Sequence, residues 1–445
     1  MPKDLDHIKF FIRTFGCQMN ESDSEGLAGT LVSFGAKKAG SAEESNLIII
    51  NTCAVREKSE EKFYSYLGRM AALKKKNNAR IGVVGCVGQV RGPGLWKARA
   101  DIDFILGPDN YGRIPGLLLD RDPEKTVSTS WSSEWKGHSI HGVPLRENPW
   151  SAYVPVMEGC DNYCAYCIVP FARGREKSRP SSSIRAELRD LSVAGYREIR
   201  FLGQNVNAYR DPESGLTFPG LLREAGSLEG IAWIRFITSH PKNFGRDIAE
   251  AMRDVAKVCR QLHLPVQAGS TTVLKRMNRG YTRQEYLEKI GFLREFMPGI
   301  KLSTDIIVGF PGETDGDFSE TLGLIREVRF TNIFSFRYSP RPLTTAAELI
   351  DDIPFQVKRD RLLEVQRLQK QIQLENHAAL VGKTLKVLCT GASLKDAGVF
   401  SGRDEGAEVV NFNAPGDPIG AFVDVRITGF GPYSLRGETV PALGG

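Results

Sequence analysis

AYVPVMEGCDNYCAYC, residues 152–167, is an apolar, strand-like run that feeds directly into a loop carrying three thiols, Cys160, Cys164 and Cys167. The run is the first of six, followed by EIRFLG (198–203), IRFIT (234–238), QLHLPV (261–266), KLSTDIIVGF (301–310) and NIFSFRYSP (332–340). Helix-like segments such as SSSIRAELRDLSVAG (181–195) and TRQEYLEKIGFLREFM (282–297) separate them. Strands alternating with helical patterns predict a parallel α/β sheet, here an open or partial (βα)6 barrel of the TIM type. Ligand sites in such folds lie at the carboxyl ends of the strands. The cysteine loop, following the first strand, is therefore placed where chemistry is done.

The spacing C-x3-C-x2-C admits a metal ion or an iron–sulfur cluster. A structural zinc site needs a fourth protein ligand, and no Cys or His follows within the loop, the next candidate being His240. A 4Fe-4S cubane held by three thiolates instead leaves one iron open. S-adenosylmethionine can chelate that iron through its amino and carboxylate groups. One electron from the cluster then breaks a carbon–sulfur bond and yields a 5′-deoxyadenosyl radical.

Before this region, IKFFIRTF (8–15), LIIIN (47–51) and IGVVG (81–85) alternate with the amphipathic stretches ESDSEGLAGTLVSFG (21–35) and VREKSEEKFYSYLGRMAALKKK (55–76). This pattern predicts a second parallel sheet. Cys17, Cys53 and Cys86 each follow one of its strands. Each alone reads as a small buried hydrophobe, but strands of one parallel sheet deliver all three to the same edge. Residues 121–149 are polar, contain Ser and Pro and show no sustained period, as a connector does. After the helix-forming stretch PFQVKRDRLLEVQRLQKQIQLENHAAL, the runs LKVLCTG, AEVVNFN and AFVDVRITGFG predict a small antiparallel barrel.

The composition, 41% hydrophobic and 25% charged over 445 residues, predicts a folded chain of two or three domains. The opening MPKDLDHIKF lacks an apolar signal segment, and no run approaches the roughly 20 apolar residues of a membrane helix. Both features predict a cytoplasmic protein, in which eight cysteines are free, metal-bound or catalytic rather than paired. Cys259 and Cys389 stand in apolar contexts without a partner cysteine and read as core. The net charge of +6 permits a polyanionic partner without establishing one.

Further candidates surround the loop. Gln204, Asn205 and Asn207 follow the second strand of the barrel, and Gln267 and Ser270 follow the fourth, where polar groups reach a cofactor; loop capping is the alternative. Asp305, a further cofactor-contact candidate, lies within an apolar strand, where an unpaired carboxylate is costly, and needs a partner; a structural ion pair is the alternative. Candidate substrate contacts are Arg173 and Arg175 in FARGRE, His240 in TSHP, Glu313 in GFPGET and Arg403 near the C-terminus. Residues 173–200 hold eight basic against four acidic groups, as expected of a phosphate contact or a solvated helix face.

The stretches GCDNYCAYCIVPFARGRE, TSHPKNF, HLPVQAGS, LKRMNRGYTR, TDIIVGFPGET and FRYSPRP together resemble the methylthiotransferase branch of the radical S-adenosylmethionine enzymes over essentially the whole chain. The resemblance implies a methylthiotransferase domain over residues 1–125, a linker at 126–148, a radical domain at 149–376 and a TRAM RNA-binding barrel at 377–445. It implies two 4Fe-4S clusters, one on Cys160, Cys164 and Cys167 and an auxiliary one on Cys17, Cys53 and Cys86, with two molecules of S-adenosylmethionine. GCQMNESDSE and NTCAVREKSEEK are most similar to the branch that inserts a methylthio group at C2 of N6-isopentenyladenosine in tRNA, next to the anticodon. Implied partners are that tRNA and a reductant such as flavodoxin or ferredoxin, acting on a monomer. The alternatives are methylthiolation of a ribosomal protein aspartate or of threonylcarbamoyladenosine, and a non-catalytic iron–sulfur or zinc protein that binds RNA. The sequence departs from the family at GQNVN, at Ala268 and in RPLTTAAEL (341–349).

Overall fold

The computed structural model describes residues 4–54, 57–99, 101–120, 125–135, 142–393, 396 and 398–440. Val55 and Arg56, the expected start of the second helix, and parts of the connector lie outside them. The N-terminal sheet contains β1 (Lys9–Phe15), β2 (Lys37–Lys38), β3 (Leu47–Thr52), β4 (Arg80–Val84), β5 (Phe104–Leu106) and β6 (Thr126–Ser128). All its pairings are parallel, in the order β2-β1-β3-β4-β5-β6. β3 is buried at every residue, as a central parallel strand covered on both faces must be. On one face Ile48, Ile50, Phe63, Leu67 and Val83 pack together; on the other, Phe10, Leu27, Leu31, Ile49 and Phe104 do. Two helices, α1 (Gln18–Ser33) and α2 (Glu57–Asn77), lie between the strands that lead into the cysteines, and α3 (Cys86–Arg91) follows the last of them.

β6 lies inside the stretch read as a connector, and adds an edge strand to this sheet. Further along, the Leu145 amide donates to Glu25 O at 2.9 Å and Lys38 pairs with Glu147 at 2.6 Å, so the connector runs back over α1.

The central region builds six parallel strands in two groups. β7 (Ser151–Pro155), β10 (Glu198–Leu202) and β11 (Trp233–Phe236) form one, and β12 (Gln261–His263), β13 (Lys301–Val308) and β14 (Asn332–Arg337) the other. Isolated bridges from Ile234 to Val258 and from Gln267 to Ile306 extend the pairing beyond the regular strands. β7 and β14 do not pair, so the barrel stays open there, and α1 packs against β7. β8 (Met157–Glu158) and β9 (Lys177–Ser178) form an antiparallel clip that brackets the cysteine loop. β13 alternates between half-buried and buried residues along its length, so its odd-numbered positions, Asp305 among them, face the lumen.

The helix Phe355–Ala378 leads to a closed five-stranded barrel, β15 (Thr384–Ala392), β16 (Phe400–Asp404), β17 (Val409–Asn413), β18 (Phe422–Phe430) and β19 (Leu435–Thr439). Its pairings are antiparallel except β17 with β19, which close the barrel in parallel. It docks at the amino-terminal end of the central strands: Arg235 donates to Asp404 O and Glu405 O at 2.7 Å, and Trp233 meets Phe422 edge-on at 4.7 Å. Cys259 and Cys389 are buried, Cys259 beside Trp233 and Cys389 in the barrel core.

His377 joins helix to barrel, its Nδ1 2.8 Å from Gly431 O and its Nε2 3.0 Å from Glu408 Oε2. With acceptors at both nitrogens the ring is held protonated. Burial opposes the charge, but the bonds to Glu408 and Gly431 outweigh it and raise the pKa above the ordinary 6.5. The folded chain binds this proton more tightly than the unfolded chain. The stabilisation is therefore complete below about pH 6.5 and is lost as pH rises through the raised folded value. Thermal melts over that interval are expected to show a falling melting temperature, and His377→Gln to flatten the dependence.

Candidate metal centres

Cys17 caps the start of α1 directly after β1, Cys53 follows β3, and Cys86 opens α3 after β4. These strands are adjacent, and their carboxyl ends bring the three sulfurs close enough to act on one another. The Cys53 thiol beside them, against burial and with help from the Arg173 charge, lowers Cys17 to about 7 and Cys86 to about 6. Cys53 itself is pushed well above its usual value by the same neighbours and by burial. Gly85 permits the close approach. Its φ is +88°, and a Cβ there would lie 2.4 Å from Asn51 Oδ1. Asn51 is itself fixed by Asn20, which donates to its Oδ1 at 3.1 Å, and it donates back to Asn20 O at 2.9 Å.

The second triad lies in the loop after β8. Cys160 N donates to Gly174 O at 3.2 Å, Cys167 N to Cys164 O at 2.9 Å and Ala165 N to Met277 O at 2.9 Å. The RPLTTAAEL segment also supports the loop, through Ala346 N to Ala165 O at 2.8 Å. Gly159 is required at its entrance, with φ +78° and Arg175 O only 2.0 Å from the site of a Cβ. Burial, followed by lesser effects that include the charge on Cys164, pushes Cys160 up to about 11 and Cys167 up to about 12.

Two donors face Cys164: Arg279 Nη1 at 3.2 Å and His240 Nε2 at 3.5 Å. His240 Nδ1 accepts from Lys242 N at 3.2 Å, so Nε2 carries the proton and donates to sulfur. Burial, then the charges of Arg279 and Lys242, lower this histidine to about 2, leaving it neutral. Arg173 faces the other triad. It is 3% exposed and donates through Nε to Cys86 Sγ at 3.3 Å, through Nη2 to Asp23 at 2.6 Å and through Nη1 to Glu158 at 3.3 Å.

The residues fit clusters. Each triad offers three free cysteine sulfurs. Three thiolates without a fourth protein ligand match a cubane with one open iron. Polar groups without partners gather at the same end of the barrel: Asn205 Oδ1, Asn207 Oδ1 and Ser239 Oγ are buried and unbonded. Asn205 is held by Glu176 at 3.1 Å and Asn243 at 3.0 Å, so its free oxygen has a fixed direction. Buried acceptors left open in this way suit a polar cofactor.

The surroundings of the other sequence candidates vary. Arg173 is buried among carboxylates and sulfur, which leaves no face for a phosphate. Glu313 is buried, its Oε2 held by Arg361 at 2.7 Å and by Gly309 N, which ties it to the helix Phe355–Ala378, while its Oε1 is buried without a partner among the described residues. Ser270 gives its hydroxyl to Asp317, and Gln204 accepts from Gly159 N at 2.6 Å, bracing the loop. Gln267 is buried in a left-handed backbone at φ +77°. Asp305 finds its partner in His263, at 3.5 Å. Arg175 is largely exposed and paired with Asp161, and Arg403 is exposed on β16, donating to Ala407 O. Sequence reasoning singled out none of Arg279, Asp23, Glu158, Glu176, Ser239 and Asn243, although the quoted stretches LKRMNRGYTR, GCQMNESDSE, AYVPVMEGC, GCDNYCAYCIVPFARGRE and TSHPKNF contain them.

Residues 9–107 match the uncharacterized protein family UPF0004, residues 154–325 the radical SAM superfamily and residues 378–440 the TRAM domain. A tRNA-2-methylthio-N(6)-dimethylallyladenosine synthase from Geobacter metallireducens is 45% identical, covering 96% of this chain and 97% of the relative. One from Acetivibrio thermocellus is 44% identical, over 97% of this chain and 91% of the relative. The radical S-adenosylmethionine methyltransferase TsrM from Kitasatospora setae shares the fold, with a TM-score of 0.54 at 13% identity over 76% of this chain and 77% of that one.

The structural reading of Glu313 has a direct check. Arg361→Met strands its buried carboxylate and is expected to cost about 3 kcal/mol in urea unfolding. A substitution there that left stability unchanged would contradict that reading.

Proposed function

The chain belongs to the family of tRNA-2-methylthio-N(6)-dimethylallyladenosine synthases, and on that premise we propose that it installs a methylthio group at C2 of N6-isopentenyl(dimethylallyl)adenosine in tRNA, next to the anticodon. The observation that carries this reading is the pair of three-cysteine groups at the carboxyl ends of two parallel sheets, linked through Arg173. Cys160, Cys164 and Cys167 would hold one 4Fe-4S cluster, and Cys17, Cys53 and Cys86 the other. When bound, the first, together with S-adenosylmethionine, supplies the means to abstract hydrogen, and the second supplies sulfur.

The chain's own residues orient and neutralise. Arg279 and the neutral His240 donate to Cys164 sulfur, spreading its charge and holding the loop. Asn205, Asn207 and Ser239 direct unpaired polar atoms toward the cofactor end of the barrel. On the lumen side, Asp305 is paired with His263 and registers beside Phe334, whose ring is partly exposed and meets His263 edge-on at 5.7 Å. An acceptor next to an exposed aromatic ring suits a splayed purine with an apolar N6 substituent. Arg175 and Arg403, both exposed, are left for phosphates. A low-potential protein reductant such as flavodoxin or ferredoxin, a monomeric state and a cytoplasmic setting complete the proposal; among the described residues no helix is long and apolar enough to cross a membrane.

Nucleoside mass spectrometry of tRNA from a deletion strain tests the substrate: the isopentenyl nucleoside is expected to accumulate without its methylthio group. Cys160→Ala is expected to abolish 5′-deoxyadenosine formation by the reduced protein. Cys17→Ala is expected to retain that cleavage yet make no methylthio product. Equal loss of both reactions in Cys17→Ala would contradict the division of labour.

A further inference from the structure

We propose that Arg173 is a positioning residue that sets the reduction potential of the cluster on Cys17, Cys53 and Cys86 while tying that cluster to the loop of the other; the inference rests on the cluster assignment above. Its guanidinium is 3% exposed and uses three directions at once: Nε toward Cys86 Sγ at 3.3 Å, Nη2 toward Asp23 at 2.6 Å and Nη1 toward Glu158 at 3.3 Å. Arg173 ends the helix Val169–Arg173, which begins just after Cys167, and Glu158 stands two residues before Cys160. Ile168 and Ala172 pack into the same apolar cluster as Cys86. One rigid, planar cation thus touches both ends of the central cysteine loop and a sulfur of the N-terminal triad. Arg279, which plays the corresponding part at Cys164, comes from within the central region itself.

Reduction adds a negative charge to a buried cluster. An N–H aimed at a ligand sulfur and a fixed cation favour the reduced state and raise the potential, while a nearby carboxylate lowers it. Arg173 and Asp23 therefore act with opposite signs on the same site. A lysine would retain the charge but lose the fixed three-way geometry.

The test uses the full chain carrying Cys160→Ala, Cys164→Ala and Cys167→Ala, reconstituted anaerobically so that only the N-terminal cluster is read. Iron and sulfide are assayed, and the midpoint is followed by electron paramagnetic resonance. Arg173→Gln is expected to shift the reduction equilibrium at least tenfold toward the oxidised form, a fall of about 59 mV for a one-electron couple. Arg173→Lys is expected to fall less, and Asp23→Asn to rise. If Arg173→Gln holds no cluster, Asp23→Asn, which keeps the arginine, still reads the sign. Unshifted midpoints in loaded variants, or no rise in Asp23→Asn, overturn the inference and leave the function standing. Absence of iron from the parent chain would remove the cluster assignment and the inference together.

Discussion

A single buried guanidinium holds the architecture together. Removing the Arg173 charge from water costs several kcal/mol, and Asp23 and Glu158, themselves buried, are what make its burial tolerable. Such an arrangement is a poor source of net stability, yet it is exacting about geometry, because loss of any member strands the others. A second buried pair across the same boundary, Lys177 with Asp109 at 2.7 Å, adds to that demand. The N-terminal sheet and the central strands are consequently held in one register, with the two cysteine groups on either side of Arg173.

The two groups differ in what surrounds their sulfurs. In the N-terminal triad the neighbouring thiol of Cys53 and the Arg173 charge lower Cys17 and Cys86 against burial. In the loop triad burial raises Cys160 and Cys167, and the donors concentrate on Cys164; holding a cluster requires every one of these sulfurs to give up its proton. Around this loop the backbone carries strain: Tyr163, Thr238 and Gln267 all have positive φ, at 46°, 72° and 77°. Non-glycine residues keep that conformation only where the surroundings over-determine it, as cofactor ends of barrels do.

The opposite end of the barrel is built for cohesion. Arg235 pairs with Glu198 at 2.6 Å and grips two carbonyls of the C-terminal barrel, and Trp233 seals the contact. Chemistry at the carboxyl ends and packing at the amino ends is the division that parallel barrels permit. The C-terminal barrel therefore docks at the amino-terminal ends of the central strands, whereas the cysteine loop follows a carboxyl end.

Apolar runs such as LIIIN and IGVVG determined their own strands, because a central parallel strand covered on both faces must be apolar over its length, and Cys53 and Cys86 at their ends could be placed from that alone. β5 and β6, of three residues each, were too short for any period to register. Partnerships were decided only in three dimensions. Arg173 reaches Cys86 across 87 positions and Asp23 across 150, Arg279 reaches Cys164 across 115, and Arg361 claims Glu313 across 48. Local pattern reports which face of an element is buried; which charge it meets there depends on how separate elements pack, and no stretch of sequence carries that by itself.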